Sequence, residues 1–450
     1  MPRRLSPHPG LASWQVLVAF FQGFGPKAVG GTPLALLFLL PAWAQGALSP
    51  LANHPLALQA QALLEGASKA LEAQASPLAL NLQGNYARLG YECTPASLCS
   101  SLPSSGGSLT LALVLTPFPF GDTHDALERA RIAYRRAELA YRKALTALQA
   151  QAVAAYGRYQ VALMGEKLAQ KGLELARAGL EVAKRRQANP KELREAELAL
   201  KEAENRLLDA ERNLALAQRG AADLVDLSKP LPQILPPKGA TPLSLEEARL
   251  GVLEAQLARE SALRALLPEA KASYLRYLGD QDTLALNLSS RNLQPTLAYT
   301  RQDPPQRPTT LPGGGSYRTT EELRLSLSLT LSPGLFSALE AALAQVRAAE
   351  ESFKAAESQA RLQEEALWGA LRSAQMALEL AQLRRTHAEN TLYETQRRLE
   401  LGLESPLSLL QSELSLLQAE LALAQAESDL RNKWMELYQF YGELLPEVAP

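Results

Sequence analysis

The chain has 450 residues, 47% of them hydrophobic but only 6% aromatic, and its formal net charge is −1. The balanced charge gives no electrostatic reason to expect nucleic acid as a partner, and the high apolar content excludes a polar disordered chain. A chain of this length ordinarily forms two or three globular domains, but the positions of its prolines argue against that division.

Prolines are absent from four long stretches of a chain that contains 29 of them: residues 120–189, 191–229, 334–405 and 407–445. Proline is incompatible with helix interiors and central strands. These stretches therefore predict four long, uninterrupted helices.

The N-terminal region contains a short apolar run, Leu34–Leu40, followed by Pro41 and the small-x-small sequence Ala42-Trp43-Ala44. This pattern predicts a secretory signal peptide over residues 1–44. An N-terminal anchoring helix is the alternative, and it is less favoured because Pro41 stops the run. The region before the run is unusually long for a signal, so the true start codon stays open. No later segment has the roughly 18 apolar residues of a spanning helix, so a membrane crossing would require β-strands.

The only two cysteines, Cys93 and Cys99, lie in a stretch rich in turn-forming residues. In an exported protein they either close a small loop disulfide or stay as two thiols. Neither arrangement predicts catalysis or metal binding, because no histidine lies near them in the sequence. We find no grouping of nucleophile, base and orienting residue, so the sequence predicts no enzyme, no catalytic residue, no cofactor site and no metal site.

Two halves of the mature chain repeat the same pattern. Leu78–Leu82 recurs as Leu284–Leu288, Tyr156-Gly157 corresponds to Trp368-Gly369, and Arg185-Arg186 corresponds to Arg397-Arg398. Such a long repeat indicates a tandem duplication rather than a solenoid. Each half runs from a short helix into strands and then into two long helices.

The strand segments alternate strictly between apolar and polar residues. One face carries Leu78, Leu80, Leu82, Leu109, Leu111, Leu113, Leu284, Leu286, Leu288, Leu325, Leu327 and Leu329. Strands that are apolar outside and polar inside are typical of a transmembrane barrel with a wet lumen. A soluble sheet with one face on a core is the alternative. The extra residues 269–283 of the second half either lengthen a strand or add a helical turn.

The long helices carry alanine-rich seams with alternating spacings of three and four residues, beginning with Ala130, Tyr134, Ala137 and Tyr141. This spacing predicts knobs-into-holes packing. Apolar residues off the seam, such as Ile132 and Leu383, indicate helices with neighbours on both sides.

Two passages resemble TolC-type outer membrane efflux proteins. The first is Phe118–Gly121, which precedes an alanine-rich helix, and the second is Arg398–Ser405, which precedes a leucine-rich helix. The resemblance extends over nearly all of the mature chain, and the ordered set of segments, present twice, is specific.

The resemblance implies a mainly α fold with a β-barrel part. Long antiparallel α-hairpins, duplicated, would form an α-barrel tunnel in the periplasm. A homotrimer with four strands per protomer would form a twelve-stranded barrel in the outer membrane. The channel would be a passive conduit of a tripartite efflux pump or type I secretion system, opened at its periplasmic tip by a periplasmic adaptor and an inner-membrane transporter.

The resemblance also implies the residues that contact the adaptor at the helical tips: Arg398, Leu401, Gly402 and Ser405 in the second half and Arg186 in the first. Independently of it, Gly402 permits a chain reversal, and Ser405 before Pro406 suits a helix N-cap. The first tip departs from the family pattern because it lacks the Leu-Gly pair.

The predicted organisation contains eight segments. They are a signal peptide (1–44), an N-terminal helical segment (45–76), the first barrel strands (77–118), the first helical hairpin (119–220), an equatorial linker and helix (221–267), the second barrel strands (268–333), the second helical hairpin (334–445) and a C-terminal tail (446–450).

A periplasmic coiled-coil adaptor or scaffold without a pore is the alternative function. An adaptor would contain one helical hairpin between β-rich modules, whereas this chain repeats the hairpin. The exported substrate, the class of pump and the resting state stay open.

Overall fold

A computed structural model describes residues 46–92, 94, 99, 102–305, 309–310, 313–330 and 332–445. The predicted signal peptide, Cys93 and the predicted C-terminal tail lie outside the described residues. None of the helices in the described part is both long and apolar enough to cross a membrane.

In the described part of the chain, six α-helices follow a 3-10 helix at Ser49–Asn53. They are α1 (Pro55–Gln74), α2 (Asp122–Arg185), α3 (Pro190–Ala222), α4 (Leu243–Ala265), α5 (Pro333–Glu400) and α6 (Pro406–Tyr441). Helices α2 and α5 contain 64 and 68 residues, which corresponds to about 96 and 102 Å at a rise of about 1.5 Å per residue. Helices α1, α3, α5 and α6 begin with a proline in the first turn, where its missing N–H costs no hydrogen bond.

Among the residues that the structure describes, eight strands lie between these helices. They are β1 (Leu78–Arg88), β2 (Ser105–Leu115), β3 (Glu269–Tyr277), β4 (Asp282–Ser289), β5 (Thr296–Asp303), β6 (Thr309–Thr310), β7 (Ser316–Tyr317) and β8 (Glu321–Ser328). Six of them form one antiparallel sheet in the order β1-β2-β5-β4-β3-β8, and the two-residue strands β6 and β7 form a separate pair.

The number of sheet strands differs from the four implied by the family resemblance. Residues 269–283 do not lengthen a neighbouring strand or add a helical turn, because Glu269–Tyr277 forms a strand of its own between β4 and β8. Residues 284–299 do not form one strand but divide between β4 and β5, which are joined by a turn at residues 290–295. The prediction of four strands per chain is therefore wrong for this structure, since six strands pair in register.

The buried core lies where the end of α6 meets the middle of α2 and α5. Its largest cluster includes Leu145, Leu148 and Val153 of α2 with Met435 and Tyr438 of α6. A second cluster combines residues of α5 and α6, namely Ala360, Leu371, Leu437, Phe440 and Tyr441. Most of α6 towards the tip is only partly buried, and the two large buried clusters lie at this level of the helices.

Arg142 of α2 fastens the C-terminal end of α6. Its guanidinium donates to the main-chain oxygens of Gly442 at 3.1 Å and Tyr441 at 3.3 Å. The same group lies 3.2 Å from a carboxylate oxygen of Glu246 in α4. A cation at a helix C-terminus also interacts favourably with the helix dipole. Arg142 therefore ties three helices together at the level of the core.

The hydroxyl of Tyr441 makes the stability of the buried core depend on pH in the alkaline range. Burial, together with the hydrogen bond of 2.6 Å from its hydroxyl to Glu364, raises the pKa of Tyr441 to about 12 from an ordinary value of 10. The unfolded chain loses this proton first, so the contribution to stability is complete below pH 10 and is lost between pH 10 and 12. Tyr441→Phe is expected to lower the free energy of unfolding at pH 8 by about 1.5–3 kcal/mol.

Thermal unfolding followed by circular dichroism between pH 8 and 12 measures this effect. The difference between the native protein and Tyr441→Phe should shrink above pH 10. A difference that stays constant across this range would contradict the role of the hydroxyl proton.

Candidate functional site

The six-stranded sheet has one continuous apolar face. The strand registers place Leu80 beside Leu113, Leu113 beside Leu297, and Leu297 beside Leu286. The same face continues through Tyr274 of β3 to Leu323 of β8. Its side chains are exposed in the single chain: Leu82 is 69% exposed and Leu325 is 74% exposed. An exposed apolar surface of this extent indicates contact with lipid or with another protein.

Most positions on the opposite face of the sheet are polar or carry small side chains. One row across three strands contains Thr110, Thr300 and Thr283, and the hydroxyl oxygens of Thr110 and Thr300 lie 3.0 Å apart. Charged residues on this face are found in β3 and β8, where Lys271 lies 3.2 Å from Glu269. A sheet with one apolar and one polar face matches a wall between lipid and water.

Aromatic and polar side chains lie near the two ends of the sheet. At the end away from the long helices, the hydroxyl of Tyr299 donates to Asp282 at 2.7 Å. At the end towards α2, Phe118 and Phe120 are 56% and 45% exposed. Aromatic residues in these positions are typical of the two interfaces of a membrane-spanning wall.

The turn between β4 and β5 contacts the start of α2. The backbone N–H of Asp122 donates to the main-chain oxygen of Arg291 at 3.3 Å. Gly121, the N-cap of α2, has φ 56° and ψ −122°, and an added Cβ would lie 1.8 Å from that same oxygen. Next to this contact, Asp125 of α2 is buried and pairs with Arg264 of α4. The sheet and the helices thus meet at a close backbone contact and a buried ion pair.

The second helical tip, between α5 and α6, is a Schellman turn. The N–H groups of Gly402 and Leu403 donate to the main-chain oxygens of Leu399 and Arg398, both at 2.9 Å, and Gly402 has φ 72°. The Ser405 hydroxyl accepts from the N–H of Ser408 at 3.2 Å, which confirms its predicted N-cap position.

The first helical tip, between α2 and α3, has the same hydrogen-bond pattern without glycine. Gln187 has φ 52°. The N–H groups of Gln187 and Ala188 donate to the main-chain oxygens of Lys184 and Ala183, both at 3.1 Å. Asn189 caps α3 by accepting from Lys191 and Glu192 at 3.1 and 2.9 Å. The start of α3 could be predicted from the sequence, because Asn189 before Pro190 is typical of a helix N-cap. The left-handed conformation of Gln187 could not, because glutamine has no preference for it.

The two tips allow a matched test of the turn. Gln187→Gly is expected to stabilise the first tip by about 0.5–1 kcal/mol, because a left-handed conformation disfavours a side chain. Gly402→Ala is expected to destabilise the second tip by about 1 kcal/mol, and no atom lies within 4 Å of the added Cβ to contribute a clash. Hydrogen exchange of the tip amides should slow in the first variant and accelerate in the second. The same direction of change in both variants would contradict a shared turn.

All the predicted tip residues lie in these turns. Arg398 lies 3.8 Å from Glu404, and both Arg398 and Arg186 are exposed. Leu401 is 68% exposed, and Leu403, which the sequence did not single out, is 72% exposed. Their contact with an adaptor stays a prediction.

The predicted loop disulfide also stays a prediction, because Cys93 lies outside the described residues. Cys99 lies with its Sγ 3.6 Å from the main-chain oxygen of Tyr91. Within the described part of the chain, no group of three or more His, Cys, Asp or Glu side chains is arranged to hold a metal ion.

The long helices carry exposed apolar side chains outside the core. They include Leu198, Leu208 and Leu216 of α3, which are 55–65% exposed, and Leu362, Met376 and Leu383 of α5, which are 62–69% exposed. Single exposed leucines are normal, but rows of them on two helices indicate surfaces that pack against other helices.

Residues 286–443 match the model of the family described as outer membrane efflux protein. This match confirms the resemblance predicted from the sequence. No curated protein sequence matches the chain.

Solved structures of outer membrane channels have the same fold. The CmeC outer membrane channel of Campylobacter jejuni aligns with a TM-score of 0.58 and 15% identity over 87% of this chain and 83% of its own. The outer membrane protein VceC of Vibrio cholerae aligns with 0.57 and 17% identity over 88% and 95%. The open state of the MtrE outer membrane channel of Neisseria gonorrhoeae aligns with 0.56 and 17% identity over 87% of both chains. At these identities the alignments establish the fold.

Proposed function

We propose that this chain is a TolC-type outer membrane efflux protein, and that copies of it form a passive outer membrane conduit working with periplasmic and inner-membrane partners. The family match over residues 286–443 and the fold support this proposal. The predicted fold, mainly α with a β-barrel part, is confirmed, and so is the outer membrane location with a periplasmic tunnel. The alternative of an adaptor without a pore receives no support from the family match. The family and the fold are those of passive channels, and the conduit requires no catalytic step.

The observation that carries the proposal is the two-faced sheet joined to two long helical hairpins. The leucine face suits lipid, the threonine and asparagine face suits a water-filled lumen, and the hairpins continue the passage away from the membrane. The two outer edges of the sheet, at β1 and β8, have no partner strand among the described residues. The unpaired N–H and C=O groups of such edge strands find hydrogen-bond partners when copies of the chain join into a closed barrel.

A homotrimer is the assembly we propose. Each chain supplies four long helices, α2, α3, α5 and α6, and three copies would enclose a tunnel of twelve. The exposed apolar rows of α3 and α5 provide surfaces for this packing. Chemical crosslinking of the purified protein in mild detergent should therefore end at a three-chain product.

Neighbouring residues of β4 test the conduit, because they lie on opposite faces of the sheet. Leu286→Arg puts a charge on the lipid face and is expected to cost about 2–4 kcal/mol, with a matching loss of membrane-inserted protein. Asn287→Arg puts the same charge into the lumen and is expected to leave insertion intact while shifting ion selectivity towards anions.

Conductance of the purified protein across planar bilayers measures both effects. A native protein that never forms pores would overturn the proposal. Equal effects of the two substitutions would mean that the two faces of the sheet are not lipid and lumen.

We further propose that the tips contact the periplasmic adaptor and open when it binds. The exposed Leu401 and Leu403 offer an apolar contact between charged residues, and Arg398 and Arg186 offer the corresponding charges of the two tips. An adaptor that binds the open arrangement more tightly than the closed one would shift the population towards the open state.

Cysteine crosslinking in cells tests this contact. Leu403→Cys at the tip, 72% exposed, should form an adduct with the adaptor, whereas Arg206→Cys on α3, whose side chain is 78% exposed but lies away from the tip and outside the apolar row, should not. Arg186→Cys shows whether the first tip takes part. Adducts of equal yield at residues 403 and 206 would contradict a tip-specific contact.

A further inference from the structure

We infer that the hairpin formed by β4 and β5 widens the membrane wall, so that three copies of this chain close an eighteen-stranded barrel in place of the twelve strands implied by the family resemblance. This inference rests on the proposed trimeric conduit. It names a property that the conduit does not require: six wall strands from each copy.

The path of the chain through the sheet identifies this hairpin as an addition. The chain leaves α4, forms β3 next to β8, and reaches β2 only through β4 and β5. Strands β3 and β5 run in the same direction, because β4 is antiparallel to both. Without the hairpin, β3 could pair with β2 directly and in the same antiparallel sense, which would leave a wall of four strands.

The side chains of the hairpin continue both faces of the wall. Leu284, Leu286 and Leu297 lie in register with the leucines of β2, and Thr300 lies beside Thr110 on the other face. A hairpin that capped or plugged the barrel would have no reason to alternate in phase with its neighbours. The hairpin therefore has the pattern of a membrane wall.

The hairpin also reaches the helical end of the sheet. Its turn accepts a hydrogen bond from Asp122 at the main-chain oxygen of Arg291, and the side chain of Gln294 donates to the Thr116 hydroxyl at 2.7 Å. The N–H of Leu115 donates to the main-chain oxygen of Pro295 at 3.0 Å. These contacts fasten both strands at the level where the other wall strands meet the helices.

The six strands leave two edges that can join between copies. Because all neighbours in the sheet are antiparallel and the number of strands is even, β1 and β8 run in opposite directions. The β8 of one copy can therefore pair with the β1 of the next in the antiparallel sense used throughout the sheet. Barrel diameter grows roughly linearly with strand number, so the lumen at membrane level should be about 1.5 times as wide as that of a twelve-stranded barrel.

Deletion of residues 279–303 tests the inference, because the deletion ends, Leu278 and Pro304, follow strands that finish at the same end of the sheet. The native trimer in lipid nanodiscs should show eighteen strands by electron microscopy. The deletion variant should show twelve strands. When polymers are added at the extracellular mouth, its narrower pore should exclude sizes that the native pore admits. A native barrel of twelve strands, with the hairpin outside the wall, would overturn the inference. Absence of a trimer or a pore in the native protein would instead overturn the proposed function.

Engineered disulfides in the full-length chain keep the inference testable if the deletion variant fails to fold. In a Cys93→Ser/Cys99→Ser background, Thr110→Cys with Thr300→Cys should crosslink within one copy, because the two hydroxyl oxygens are 3.0 Å apart. Thr110→Cys with Tyr277→Cys is the matched control, since the registers place Tyr277 of β3 at the level of Thr110 on the same face, and the two would approach only if β3 paired with β2. A disulfide in the control pair and none in the first would overturn the inference.

Crosslinks between copies report on the edges. Arg324→Cys on β8, combined in turn with Asn81→Cys, Gln83→Cys or Asn85→Cys on β1, should yield covalent dimers and trimers for at least one combination. Absence of any crosslinked species across the whole set would contradict closure through these two edges.

Discussion

Replacing Gly121 with alanine is expected to cost about 4 kcal/mol or more and to remove most of the folded trimer from the outer membrane. Gly121 has φ 56° and ψ −122°, a conformation that side chains disfavour by about 1–3 kcal/mol. The added Cβ would also lie 1.8 Å from the main-chain oxygen of Arg291. Since that oxygen belongs to backbone, relief requires the β4–β5 turn to move away from α2, which breaks the hydrogen bond from Asp122.

Gly239→Ala is the matched control for this substitution. Gly239 also has a positive φ, 80°, but no atom lies within 4 Å of an added Cβ. It should therefore show conformational strain alone, about 1–2 kcal/mol. The heat-modifiable trimer in membrane extracts and its thermal midpoint measure both variants. Equal effects at the two glycines would mean that the turn does not contact α2 in the assembled protein.

Replacing Asp125 with alanine is expected to cost about 3–5 kcal/mol, because it leaves the Arg264 guanidinium without its counter-charge next to a buried site. Asp125 is 2% exposed, and its second carboxylate oxygen has no hydrogen-bond partner within the described residues. The pair connects the first turn of α2 to the last turn of α4, directly below the sheet. Its loss should therefore loosen the junction between sheet and helices.

A double-mutant cycle separates the pair from the cost of one buried charge. Asp125→Leu with Arg264→Met removes both charges and should be much milder than either single change. Glu357→Ala is the control for an exposed ion pair, because Glu357 and Arg361 form a salt bridge between adjacent turns on the surface of α5. This substitution should change the free energy of unfolding by no more than about 0.5 kcal/mol. If the double variant were as unstable as the sum of its single variants, Asp125 and Arg264 would not be coupled.

The helical hairpins could be predicted from the sequence because their signals are local. Gaps between prolines set the helix lengths, and Ser405 before Pro406 marked the start of α6. Gln187 shows the limit of this approach, because it takes a left-handed conformation that residue preferences assign to glycine. The surrounding hydrogen bonds of the turn, not the residue, determine that conformation.

The sheet was predicted in its pattern but not in its strand count. The outward positions of β3 are Ala270, Ala272 and Tyr274 where other strands have leucine, so the alternation of β3 is weak. The turn between β4 and β5 contains no glycine and places Leu293 at φ 48°. Across this turn the apolar positions change from even numbers (Leu284–Leu288) to odd numbers (Leu297 and Tyr299), so a change of phase was the sequence signal of the chain reversal.

The contacts at the junction could not be predicted, because they join residues far apart in sequence. Gly121 and Arg291 meet only once β5 pairs with β2, and Asp125 meets Arg264 only once α4 packs against α2. Neither residue pair has a sequence signal of its own.

The strand count has a consequence for how the membrane wall meets the tunnel. Twelve helices side by side, with about 8–10 Å between axes, make a ring about 95–120 Å in circumference. Eighteen strands about 4.8 Å apart and tilted by about 35–45° make a ring of about 105–120 Å, whereas twelve would make about 70–80 Å. Six strands per chain therefore match the perimeter of the helical tunnel without a taper, which leaves the helical tips as the narrowest point of the passage.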